Sequence, residues 1–195
     1  MKTRSYASRL RYLDADDVDD SVVHFDGLAV QGHDGEKVGD VDGFIVDLAS
    51  GRVLYIVVDS GGWFRSRRFL APIGHAVIDQ GRRALNLDIS KERLHQYPEF
   101  EEARFSEFTD EDLRSFETRM AGVCCPDEPP SAALDDADAD GWAYGTRRHY
   151  RQPDWWTAGS YVHERLRPVE SPMYRVSRPV LDEGEEDGEA DTSAR

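Results

Sequence analysis

The residues best able to hold a metal or move a proton are six histidines, His24, His33, His75, His95, His149 and His163, and no two of them stand at the i, i+4 spacing that sets two ligands on one helix face. Cys124 and Cys125 are adjacent, without the two intervening residues of a C-x-x-C site, and no second cysteine pair exists to complete a zinc set. Reduced thiols are the expectation, with redox sensing as the alternative. Asp40 and Asp42 are paired carboxylates of the kind that hold Mg²⁺ or Ca²⁺, but the spacing and glycine of an EF-hand loop are missing around them. The Asp-Gly and Gly-Gly pairs fit turns, because neither G-x-x-x-x-G-K-[ST] nor G-x-G-x-x-G occurs. These spacings predict no catalytic constellation, no cofactor site and no metal site.

Binding chemistry is better represented. Gly61-Gly62-Trp63-Phe64-Arg65-Ser66-Arg67-Arg68 places two large rings and three guanidinium groups in and beside a Gly-rich turn. Exposed rings are costly, so Trp63 and Phe64 either fold under the chain or form a docking knob, while Arg65, Arg67 and Arg68 suit an acidic partner or the chain's own acidic tails. A second group, Trp142, Tyr144, Tyr150, Trp155, Trp156 and Tyr161, lies among Arg147, Arg148, Arg151, Arg165 and Arg167 with no sustained period. Aromatic and Arg side chains are enriched at binding hot spots, yet the same buried area can cover an apolar patch of the chain itself. The candidate docking residues are therefore Trp63, Phe64, Arg65, Arg67, Arg68, Trp142, Tyr144, Trp155, Trp156 and Tyr161, with self-packing as the alternative.

The elements that must carry these residues are mainly β. Val53 to Val58 is a β-branched and aromatic run between Ser50-Gly51 and Ser60-Gly61-Gly62, too short for an ordinary helix, and reads as a strand buried on both faces and central to the sheet. Val41 to Asp47 precedes it through the tight-turn composition Ala49-Ser50-Gly51-Arg52, and Leu28 to Gln31 precedes that through His33-Asp34-Gly35-Glu36, where the glycine supplies positive φ. A three-strand meander follows. Arg68 to Ala71, His75 to Ile78 and Ala84 to Asp88 are brief strands punctuated by Pro72, Gly74 and Gly81, a spacing that closes a small barrel. Ser90 is placed to cap a short helix that Pro98 ends, and Thr109-Asp110-Glu111-Asp112 begins a second helix with Leu113, Phe116 and Met120 on one face.

The pattern Asp34-Gly35-Glu36-Lys37-Val38-Gly39-Asp40-Val41, Asp47, Gly51-Arg52-Val53 with its apolar strand, Gly61-Gly62 and Leu70-Ala71-Pro72-Ile73 resembles the PRC-barrel family in order and spacing. The Pro-containing stretch Leu94 to Phe100 is similar to a helix of stand-alone members, which carries the resemblance to about residue 120. The resemblance implies a small closed barrel used as a non-enzymatic docking scaffold. Relatives include the cytoplasmic domain of the photosynthetic reaction-centre H subunit and a ribosome-maturation factor whose barrel binds a ribosomal protein. The first has a membrane span ahead of its barrel and the second a separate domain; here about 20 residues precede the barrel and end in the acidic run Asp14 to Asp20.

Composition limits the partners. The 195 residues carry a formal net charge of -15, which opposes direct binding to nucleic acid or anionic lipid. The acidity is concentrated outside the barrel: between Val22 and Ile89, seven Lys and Arg face nine Asp and Glu. The expected organisation is an N-terminal extension at 1–21, the barrel at 22–89, a helical appendage at 90–122, an acidic Pro-containing linker at 123–140, an aromatic and Arg-rich extension at 141–180 and an acidic disordered tail at 181–195. No run approaches the roughly 18 apolar residues of a membrane span, and Met1 to Asp20 lacks the apolar centre of a signal peptide. The expected function is a soluble protein-interaction and assembly module in the cytoplasm, with a protein partner and with homo-oligomerisation allowed. The alternative is a peripheral component, similar in role to the reaction-centre H subunit, on the cytoplasmic face of the inner membrane.

Overall fold

The computed structural model describes residues 5–18, 23–61, 67–79, 81–124 and 148–156. Seven strands form one sheet: β1 (Leu10–Asp14), β2 (Ala29–Gln31), β3 (Lys37–Asp47), β4 (Arg52–Asp59), β5 (Arg68–Pro72), β6 (Ala76–Asp79) and β7 (Ala84–Leu87). The hydrogen-bonded order is β5-β4-β3-β2-β7-β6, with β1 also on β3. All pairs are antiparallel except β2 with β7. The meander β2-β3-β4 is present, and Gly35 takes a φ of 80° in the turn between its first two strands, a conformation glycine adopts without steric cost.

The strand order differs from the sequence reading in two ways. The hydrogen-bond ladder is not closed: β5 and β6 are its ends, joined through the 3-10 turn Ile73–His75 and by no ladder among the described residues. Also, the strand at Arg52–Asp59 is next to an end of the order, and β3 is the hub instead. At 11 residues β3 is long enough to take two strands along one side, β2 on Lys37–Asp40 and β1 on Gly43–Asp47, while β4 runs along the other. Register shifts at Val41/Gly43 and Ile45/Val46 mark bulges, which add local twist and let one strand serve diverging neighbours. Gly43 permits the close passage of β1, since a Cβ there would meet the Leu13 carbonyl oxygen at 2.5 Å and the Tyr12 ring at 2.6 Å.

The segment read as an N-terminal extension thus supplies a strand. Leu10, Leu13, Ala15 and Val18 are buried in the common core, and Asp47, only 3% exposed, ties the segment down. Its carboxylate accepts from Arg9 Nε at 3.1 Å and Nη2 at 2.7 Å, from the Ala49 amide at 2.9 Å and from Ser50 Oγ at 2.8 Å. A buried carboxylate satisfied on both oxygens holds the β3–β4 turn and the entry to β1 together.

Beyond the sheet, Ser90 occupies the N-cap position of a 3-10 helix, Lys91–Gln96, but its hydroxyl makes no cap hydrogen bond. The helix read into Leu94 to Phe100 stops at Gln96; Glu99 instead bridges Phe69, and the Phe100 amide donates to the Arg68 carbonyl at 2.8 Å. Pro98, with no amide hydrogen and a fixed φ, favours this extended path along the β5 edge. Helix α1 spans Glu102–Ser106 and α2 spans Asp110–Cys124. Thr109 and Asp112 form a reciprocal cap: Thr109 Oγ1 accepts from the Asp112 amide at 3.2 Å, and Asp112 Oδ2 accepts from the Thr109 amide at 3.0 Å. The Thr109 hydroxyl, donating to Asp112 Oδ2 at 2.6 Å, and then the Thr109 amide hold the Asp112 carboxyl below its usual range. Leu113, Phe116 and Met120 are buried, so α2 continues the core of the sheet. Thr109→Ala should cost about 1 kcal/mol, read as a lower urea midpoint with an unchanged m-value.

Candidate functional site

The residues singled out for docking divide into three groups. Trp63, Phe64, Arg65, Trp142, Tyr144 and Tyr161 lie outside the described residues. Arg67 and Arg68 are engaged within the chain: Arg67 Nη1 donates to the His95 carbonyl at 3.1 Å and its Nη2 to that of Tyr97, and Arg68 pairs with Asp42 at 3.1 Å. The Arg68 guanidinium also lies over the rings of Tyr12 and Phe100, 5.8 and 5.3 Å from their centroids. Burial alone would lower its pKa, but the hydrogen bond and charge of Asp42 raise it overall, while burial and then a bond that the Tyr12 hydroxyl itself donates to Asp42 Oδ2 at 2.9 Å push that hydroxyl up. Both arginines pin strands and helices to one another.

Trp155 and Trp156 form the third group, and here the chain packs on itself. Trp156 is 7% exposed, its ring lies 5.2 Å from that of Phe44, and its Nε1 donates to the Gly51 carbonyl at 3.2 Å. Trp155 is partly buried against Phe25, at 5.3 Å between ring centroids. Gln152 mimics a strand residue beside β4, accepting from the Val53 amide at 3.1 Å and donating to the Val53 carbonyl at 2.7 Å. Arg52 Nη2 donates to the Tyr150 carbonyl at 3.1 Å. Tyr55 donates to the buried Glu117 at 2.5 Å and shares a 2.8 Å bond with the Tyr150 hydroxyl, so one polar cluster joins β4, α2 and the returning segment. The Trp156 indole therefore packs into the core.

That return also assembles a cluster no sequence spacing revealed. His75 ends the 3-10 turn between β5 and β6, Cys124 ends α2, and His149 sits in the short 3-10 helix Arg148–Tyr150. Their potential ligand atoms all lie within 4.8 Å of one another, and all three residues are half-buried. His75 Nε2 and His149 Nδ1 are 2.6 Å apart, with the rings stacked at 4.9 Å between centroids and 27° between planes. The two histidines are 74 positions apart in the chain, so only folding brings them together. Cys124 also lines a cleft of about 440 Å³ with His33, Asp88, Glu92, Arg93 and Tyr97.

A different surface lies at the free end of the sheet. Strand β6 pairs only with β7 among the described residues, and its Val77, 65% exposed, is the one exposed large hydrophobic residue among them. Beside it is a cleft of about 590 Å³ lined by Val23, His24, Leu28, Ile78, Asp79 and Arg83, among others. Among the described residues no helix is long and apolar enough to cross a membrane.

A protein of Deinococcus radiodurans described as "Uncharacterized protein" is 33% identical over 90 residues, which make up 45% of this chain and 32% of that relative. The matched part thus spans about a third of the relative's length. Residues 20–94, which hold the β2 to β7 strands, match the family model of the PRC-barrel domain.

Proposed function

We propose that the chain is a non-enzymatic protein-interaction and assembly module that holds its partner along the β6 edge of the PRC-barrel sheet. The observation that carries this reading is the side of β6 that pairs with no strand among the described residues, with Val77 standing out from it. A strand edge presents backbone donors and acceptors that an extended segment of another protein can complete, and a neighbouring side-chain pocket then gives selectivity. The 590 Å³ cleft beside Ile78 and Asp79 is placed to be that pocket.

The test is affinity purification of the full chain from its native source, with Val77→Asp in parallel. The wild-type chain should retain a stoichiometric protein partner. Val77→Asp should lose it while its stability stays within about 0.5 kcal/mol of wild type, as expected at an exposed position. Equal retention by both chains would overturn the β6 assignment. Absence of a stoichiometric partner, or turnover of a substrate that depends on His75 or Cys124, would overturn the module itself.

A further inference from the structure

We infer that His75, Cys124 and His149 form a binding site for a zinc-class divalent cation, one that goes beyond the docking role and stands independently of it. Two imidazole nitrogens and a thiolate are a borderline-soft donor set, suited to Zn²⁺ far better than to Mg²⁺ or Ca²⁺, which prefer oxygen. The three donor atoms already lie within 4.8 Å of one another. Zinc–nitrogen bonds of about 2.0–2.1 Å at a tetrahedral centre hold two ring nitrogens about 3.3 Å apart. The present separation of His75 Nε2 and His149 Nδ1 is 2.6 Å, so loading requires only a small opening of the pair.

The nitrogens that face each other, Nε2 of His75 and Nδ1 of His149, are the donors this site would use, each on a neutral imidazole. Cys124 must lose its thiol proton to bind, so cation uptake releases a proton. The cleft of about 440 Å³ reaches Cys124, and the charged groups that line it are Asp88, Glu92 and Arg93. Three protein ligands leave the fourth position to water. Because the ligands come from three separate elements, a bound ion would staple the returning segment and the end of α2 to the turn between β5 and β6. It would act on residues far apart in sequence, much as a cross-link does.

The experiment uses the full chain, stripped with a chelator and kept reduced, and titrated with Co²⁺ as a spectroscopic probe and then with Zn²⁺. One equivalent of Co²⁺ should give visible tetrahedral d–d bands and near-ultraviolet thiolate charge transfer, both displaced by Zn²⁺, and Zn²⁺ should raise the melting temperature. Cys124→Ser should lose the charge-transfer band. His75→Gln and His149→Gln should each weaken binding at least tenfold and remove the Zn²⁺-dependent rise in melting. Circular dichroism of the stripped variants controls for folding, and if any one unfolds the remaining two carry the test. Cys125→Ser should bind like wild type. The inference is overturned if no one-equivalent complex forms, if Cys124→Ser keeps the thiolate band, or if Cys125→Ser removes it.

Discussion

Ile56→Asp is expected to unfold the sheet. Ile56 is fully buried in β4, with Phe44 of β3 and Ala71 of β5 as its Cα partners on either side. A carboxylate there would have neither water nor a cation, and such burial costs several kcal/mol or forces protonation. Native domains are stable by only about 5–15 kcal/mol in total, so one such group can consume most of the margin. The loss should register as a collapsed far-ultraviolet signal, or as a urea midpoint shifted by several kcal/mol equivalent. A midpoint within about 1 kcal/mol of wild type would mean that β4 is not the buried strand described here. Ile56→Val, which keeps the shape and removes one methylene, should cost only about 0.5–1.5 kcal/mol.

Trp156→Ala should destabilise by about 3–5 kcal/mol, the range for truncating a buried aromatic ring. The substitution empties the space against Phe44 and removes the donor to the Gly51 carbonyl. Trp155→Ala should cost less, because that ring is only partly buried. Removing residues 141–195 should have the larger effect: it takes away Trp156, the Gln152 bonds to Val53 and the Tyr150 hydroxyl beside Tyr55 and Glu117. The truncated chain should melt at lower temperature and bind a hydrophobic dye. An unchanged melting curve together with loss of a protein partner would instead assign the segment to partner capture.

Much of the architecture was legible because it is encoded locally. Val53 to Val58 could be read as a doubly buried strand from composition and length alone, since a β-branched run between glycine turns has few other uses. The Thr109 to Asp112 cap and the Leu113, Phe116, Met120 face were legible for the same reason: they rest on contacts within one helical turn or along one helix face. β1 was hidden because Leu10–Asp14 is a short strand leading into an acidic run, and its place depends on Gly43 allowing close passage and on Asp47 bonding to Arg9. The stretch Leu94 to Phe100 was misread because Pro98 suits both a helix end and an extended path, and the Phe69–Glu99 bridge that decides between them is nonlocal.

Propensity, periodicity and turn chemistry act over a few residues, and they encode the alternation of strands and turns from Leu28 to Asp88, the capped helix after them and the family resemblance. Tertiary structure alone decided which face Trp156 turns to, that β3 is the hub of an unclosed ladder, and that His75, Cys124 and His149 meet. Those outcomes depend on contacts between residues tens of positions apart. Their sequence separations follow no helical or strand period, so no spacing could announce them; the His75–His149 contact, for one, forms only when the chain returns from α2 to lie beside β4.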